Sequence, residues 1–196
     1  MSFLILSLPR SRSAWLAHYL SYPLARPPQY VGHDILAECS DVQTFLNSYS
    51  HGMWGSCETG GAMLWEIVRQ EMPECRIVLV RRPMIEVYRS LAAKGVIVDL
   101  SMLAELDQHL NQASLDPSIV SVPYAALSDR GIGKWIFEYC LELDWDELWW
   151  QQMVATNIQV DMPEWIKRLN GKRESFLALI SDVNRRSQAT APRVLH

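Results

Sequence analysis

"FLILSLPRSRSAWL" spans Phe3–Leu16, and its reading decides the fold. Phe3–Leu8 is an apolar run of strand length interrupted only by Ser7, the pattern of a parallel strand covered on both faces. From Ser13 onward the apolar residues Trp15, Leu16, Tyr19 and Leu20 recur at helical spacing. Between strand and helix lie Arg10, Ser11, Arg12 and Ser13. In a parallel sheet such a loop stands beyond the carboxyl end of its strand, where ligands bind. The helix start supplies unpaired N–H groups and partial positive charge, so the stretch suits phosphate or sulfate. A capped helix with surface arginines is the plainer alternative. The loop contains no glycine and lacks GxxxxGK[ST], so a standard ATP loop is not expected.

Working outward, strands are expected at Tyr30–Val31, Met53–Cys57, Arg76–Val80 and Ile119–Val122. Helices are expected over Asp41–Tyr49 (capped by Ser40), Thr59–Met72, Pro83–Ala93 and Ser101–Gln112. The end of the chain reads as helical, over Gly131–Leu143, Trp145–Thr156, Pro163–Leu169 and Arg173–Arg185. This order predicts a three-layer α/β/α fold with a central, mostly parallel sheet and a helical C-terminal part. The chain reads as one domain over residues 1–186, with a loosely held tail from Ser187 to His196.

A second cationic cluster ends the clearest later strand, in "RIVLVRRPMIEVYRS" (Arg76–Ser90). Arg81 and Arg82 fall at the same sheet edge as Arg10 if the two strands are parallel. ATP-hydrolysing proteins of this architecture often end such a strand with an Asp that helps hold Mg²⁺. Arginine forks suit phosphate instead and would repel a metal. The edge thus offers two separate anion sites and no evident metal site. A nucleoside with anions at two ends fits that better than ATP–Mg²⁺. Pairing of these arginines with acidic neighbours such as Glu58 or Glu86 is the structural alternative.

Composition narrows the classes. With 196 residues, 18 Lys+Arg against 22 Asp+Glu, and a net charge of −4, broad nucleic-acid or anionic-membrane binding is not expected. Phe3–Leu8 is too short to span a membrane and lacks the leader pattern of a signal peptide. Cys39, Cys57, Cys75 and Cys140 are widely spaced, and free thiols in a cytoplasmic protein are expected.

With these motifs in place the sequence resembles the sulfotransferase family. "SLPRSRSAWL" is similar to the 5′-phosphosulfate loop, whose common form is TYPKSGTTWL, with Pro9, Ser11, Trp15 and Leu16 in register and Arg10 in place of the loop lysine. Arg82 and Ser90 keep the spacing of the family's 3′-phosphate motif. "VPYAALSD" (Val122–Asp129), followed by a helix, resembles a third family segment, YEDL…F.GL. The likeness spans roughly Met1–Leu143 and is strongest to small bacterial and phage-type members.

The resemblance implies a P-loop-like fold, 3′-phosphoadenylyl sulfate (PAPS) as donor, and transfer to a hydroxyl or amine without metal. It implies that Arg10, Ser11, Arg12, Ser13, Ala14 and Trp15 hold the 5′ end, with Arg10 neutralising charge as the bond breaks. It further implies that Arg82 and Ser90, with Tyr124 nearby, hold the remainder, adenosine 3′,5′-bisphosphate (PAP) being the product. The family's C-terminal RKGxxGDWK loop is missing, and "RGIGKW" (Arg130–Trp135) is not equated with it.

Transfer to an alcohol needs a proton acceptor near the first loop. His33 and Asp34 in "VGHDILAEC" are the candidates, with Glu58 third. Their structural alternatives are a loop histidine bonded to backbone and, for Asp34, a cap on a helix over Ile35–Cys39. Trp145 and Trp149 in "DWDELWWQQ" are four apart and are expected to pack on the core or on a second copy of the chain, rather than on a sugar. Lys167, Arg168, Lys172 and Arg173 read as a solvated helix end. The partners expected are the sulfate donor and an acceptor, with a homodimer left open. The rival readings are a small-molecule or nucleotide kinase, and a nucleotide-binding protein without turnover.

Overall fold

The computed structural model describes residues 2–22, 30–158, 163–164, 167, 171 and 173–190. Five strands, β1 (Phe3–Ser7), β2 (Tyr30–His33), β3 (Met53–Glu58), β4 (Arg76–Arg81) and β5 (Val120–Pro123), form one sheet in the order β2-β3-β1-β4-β5. All four pairings are parallel. β1 is central and buried along its whole length, as the apolar run Phe3–Leu6 requires, and the short polar Ser7 is buried with it. Each expected strand is present, with bounds shifted by one or two residues.

The sheet is covered on both sides. Leu4 and Leu6 point to a core shared with helices α2 (Val42–Ser50), α3 (Trp65–Glu71), α4 (Met84–Ala92), α5 (Leu100–Ala113) and α8 (Arg173–Thr190). Phe3 and Ile5 point to the other core, with α1 (Ser13–Leu20), α6 (Arg130–Leu141) and α7 (Glu147–Ala155). Successive strand side chains alternate faces, so one five-residue strand serves both layers. The fold is therefore α/β with a parallel five-stranded sheet. All four cysteines are buried and unbonded.

Several local expectations change. The cap of α2 is Asp41, whose Oδ1 accepts from the Thr44 N–H at 2.7 Å, and not Ser40. The expected helix from Thr59 begins only after Gly60 and Gly61, with a 3-10 turn at Ala62–Leu64 before α3. Two adjacent glycines favour a turn over a first helical turn. Trp145 lies before α7, which Asp146 caps through the Trp149 N–H at 2.9 Å, so Trp145 and Trp149 do not share a helix face. Helix α8 continues to Thr190, four residues into the stretch read as a tail. Residues 191–196, most of the loop Tyr22–Pro28, Arg168 and Lys172 lie outside the described residues, as does much of the expected helix Pro163–Leu169.

"RGIGKW" forms the first turns of α6, where Gly133 serves packing. A Cβ there would stand 2.2 Å from the Trp150 ring, so only glycine lets α6 and α7 approach this closely. No described helix is long and apolar enough to cross a membrane.

Candidate anion-binding site

The loop from β1 to α1 carries two non-glycine residues at positive φ, Arg10 (62°) and Arg12 (63°). Each such residue costs roughly 1–2 kcal/mol, and such strain tends to persist where surrounding structure holds it for function. The sign of φ alternates across Arg10, Ser11 and Arg12. Alternating left- and right-handed residues turn successive N–H groups to one side, a concavity that receives anions. Helices α2, α5, α6 and α7 each have an aspartate cap, whereas α1, like α3 and α4, opens with no side-chain cap. Its first-turn N–H groups thus have no side-chain acceptor, and such groups suit an anion.

This loop opens on a cavity of about 220 Å³, lined among others by Arg10, Ser13, His33, Asp34, Arg82 and Ser90. Ala14, Trp15 and Tyr124 also border it. The two cationic clusters expected at this edge border one cavity. Arg10 Nε donates to Ser90 Oγ at 3.4 Å across 80 positions of sequence, and Arg82 donates to the Arg10 carbonyl. The parallel pairing of β1 with β4 brings both strand ends to this edge. The Arg82 guanidinium also lies 4.2 Å from the Tyr124 ring centre and 3.5 Å from Glu86. Among the described residues no carboxylate lies within ion-pair distance of Arg10, whose side chain borders the cavity.

The neighbouring arginines take other roles. Arg81 turns to α5, donating to Asp107 at 3.0 Å and Asn111 at 2.6 Å, and does not reach the cavity. Arg12 is largely exposed and donates to Ser128 Oγ at 2.7 Å. Ser11 is fully buried, and its Oγ has no protein partner. Trp15 lies mainly in the core, stacked on Tyr19 and donating from Nε1 to the Met153 carbonyl at 2.8 Å.

Opposite Arg10 stand the proton-acceptor candidates. His33 Nε2 meets Ser13 Oγ at 3.1 Å and Asp34 Oδ2 at 3.4 Å. Asp34 stands at the N-cap position of the Ile35–Glu38 turn, at φ 49°, but its side chain does not cap it: Oδ1 accepts from the Thr59 N–H and hydroxyl, both at 2.9 Å. The turn after it, Ile35–Glu38, is a 3-10 turn. Glu58 is buried away from the cavity and anchors that turn, accepting from the Ile35 and Leu36 N–H groups at 3.0 and 3.2 Å. Burial and the nearby Asp34 charge push its carboxyl up to about 7 against the pull of its hydrogen bonds. Glu58 is therefore a structural group here, because its oxygens are taken by backbone donors.

The tryptophans are structural as well. Trp145 Nε1 donates to the Tyr19 hydroxyl at 2.9 Å and Trp149 Nε1 to the Tyr19 carbonyl at 2.8 Å. A sugar-stacking face would need those rings open. Thr59, Asn157 and Ile158 line the cavity but were not singled out by sequence. Thr59 follows directly on the end of β3, a position that could have marked it; the segment after α7 carries no such signal. Among the described residues no group of three or more His, Cys, Asp or Glu side chains could hold a metal ion.

No protein-family model matches the sequence, and no curated protein matches it. Among solved structures the chain is similar to the crystal structure of a gluconokinase from Sinorhizobium meliloti 1021, at 11% identity and a TM-score of 0.41, over 96% of this chain and 97% of that one. A likeness of that strength does not separate one activity from another.

Proposed function

We propose that this chain is a transferase that passes a sulfuryl group from 3′-phosphoadenylyl sulfate to a hydroxyl or amine. The observation that carries this reading is the convergence of Arg10, Arg82 and Ser90 with the uncapped start of α1 in one cavity. The donor set fits a nucleotide with anions at both ends: cations and hydroxyls dominate it, and among the described residues no carboxylate pairs with Arg10. The start of α1 and Arg10 would hold the 5′ end, Arg82 and Ser90 the 3′-phosphate, with Tyr124 beside Arg82. Bound there, the donor supplies the sulfuryl group and a phosphate leaving group. Arg10 offsets the negative charge that grows on the bridging and sulfuryl oxygens. His33 Nε2 takes the acceptor's proton.

Phosphoryl transfer from ATP is the second reading. Asp34 in the same cavity is a carboxylate of the kind that takes a hydroxyl proton in kinases. Calorimetric titration with adenosine 3′,5′-bisphosphate tests the main reading. Arg10→Ala and Arg82→Ala should each weaken binding by about tenfold or more, since a charge-assisted bond contributes roughly 1.5–3 kcal/mol. Unchanged affinity in both variants would contradict it. Tight binding without transfer to any acceptor would leave a nucleotide-binding protein without turnover.

A further inference from the structure

We infer that Thr59 is a positioning residue: it holds Asp34 so that the free carboxylate oxygen faces His33, and thereby governs the protonation of the imidazole that borders the cavity. The inference rests on the sulfuryl-transfer reading for its chemistry but not for its geometry. Thr59 gives two hydrogen bonds, from N–H and Oγ1, to the same oxygen of Asp34, both at 2.9 Å. Two donors on Oδ1 fix the rotation of the carboxylate and leave Oδ2 at 3.4 Å from His33 Nε2. Ser13 Oγ approaches that same nitrogen at 3.1 Å. The carboxylate is not on the opposite ring nitrogen, as it would be in a serine-hydrolase triad.

This nitrogen meets both Ser13 and Asp34, and its protonation selects between them. Bare, Nε2 accepts from the Ser13 hydroxyl. Protonated, it donates to Asp34, whose charge stabilises the imidazolium. In transfer, the acceptor hydroxyl takes the place of Ser13 on Nε2, its O–H bond breaks and its proton goes to Nε2. The electron pair left on the acceptor oxygen forms the new O–S bond. The bridging S–O bond breaks, and its electron pair leaves on the nucleotide phosphate. Asp34 is in place for the charge so formed, because Thr59 holds it there before the proton arrives.

Other charged or titratable groups border this nitrogen's surroundings. Arg10 and Arg12 come from the β1–α1 loop and Arg82 from the start of α4, all lining the same cavity. Cys57 of β3 is the register partner of His33, and the buried Glu58 follows it. The arginines oppose an imidazolium and the carboxylates favour it, so the orientation of the nearest carboxylate is decisive.

The test is an NMR titration of the His33 ring in the intact, nucleotide-free protein, alongside the pH profile of kcat for transfer from PAPS. Thr59→Val keeps the shape but removes the hydroxyl donor. Its His33 midpoint should fall by roughly half a unit, since an ordered neighbouring carboxylate is worth about a unit or more. Thr59→Ser should restore it. In an Asp34→Asn background Thr59→Val should have no further effect on His33. An unmoved midpoint in Thr59→Val, or the same shift with Asp34→Asn already present, overturns the inference. If Thr59→Val does not fold, the difference between Thr59→Ser and Thr59→Ala decides in the same way. A midpoint that moves as expected while adenosine 3′,5′-bisphosphate does not bind supports the positioning role and contradicts the sulfuryl-transfer reading alone.

Discussion

At Arg12 a long cationic side chain occupies a backbone position with φ of 63°, which glycine adopts most readily. The sulfotransferase form TYPKSGTTWL has glycine at the matching place. Here Arg12 offsets the cost by donating to Ser128 and lying 5.6 Å over the Trp15 ring. Arg12→Ala and Arg12→Gly both lose these contacts, but only glycine escapes the strain. Urea denaturation should therefore find the glycine variant more stable than the alanine variant by about 1 kcal/mol, the reverse of the usual loop order. Alanine equal to or above glycine would mean that φ is not held there.

Glu58 gives a pH dependence of definite sign. Its carboxyl is raised to about 7, so from its ordinary range up to that pH the folded chain keeps a proton that the unfolded chain has released. Its contribution to stability is full below the ordinary range and is lost as pH rises to about 7. Melting points taken across that window should fall with rising pH from this group, and Glu58→Gln should flatten the fall. Neither Arg12's conformation nor Glu58's burial was legible in sequence. Positive φ depends on what the surrounding chain can hold, and Glu58 looked like any carboxylate at a strand end until the Ile35–Glu38 turn closed over it.

Among the elements, strands were the most legible, because burial on both faces forces continuous apolar runs such as Phe3–Leu6 and Ile77–Val80. Helix starts were less so. Ser40 and Asp41 are both good caps, and only the backbone direction decides that Asp41 meets Thr44. The contact of α6 with α7 was hidden, since Gly133 and Trp150 are far apart in sequence and each looks ordinary alone. Gly133→Ala should destabilise by roughly 1–3 kcal/mol in chemical denaturation despite alanine's better helix propensity, because the added Cβ meets the ring at 2.2 Å. The same change at Gly131, whose Cβ would meet only the Asp129 carboxylate at 3.1 Å, should cost less.

For the whole molecule, the sequence motifs marked both halves of the cavity, Arg10 with its serines and Arg82 with Ser90. That both border one cavity was not readable, because it depends on the central place of β1 beside β4 and on how far the Arg10 side chain reaches. The opposite wall was half legible: His33 and Asp34 were candidates, but their mutual geometry and Thr59 were not. The central claim is that this sheet edge binds a nucleotide with anions at two ends. Thermal unfolding with adenosine 3′,5′-bisphosphate and, separately, with ATP–Mg²⁺ tests it most directly. The account predicts that the bisphosphate raises the melting temperature in proportion to the logarithm of its concentration above saturation, and more than ATP–Mg²⁺ at equal concentration. Stabilisation by ATP–Mg²⁺ alone would contradict it.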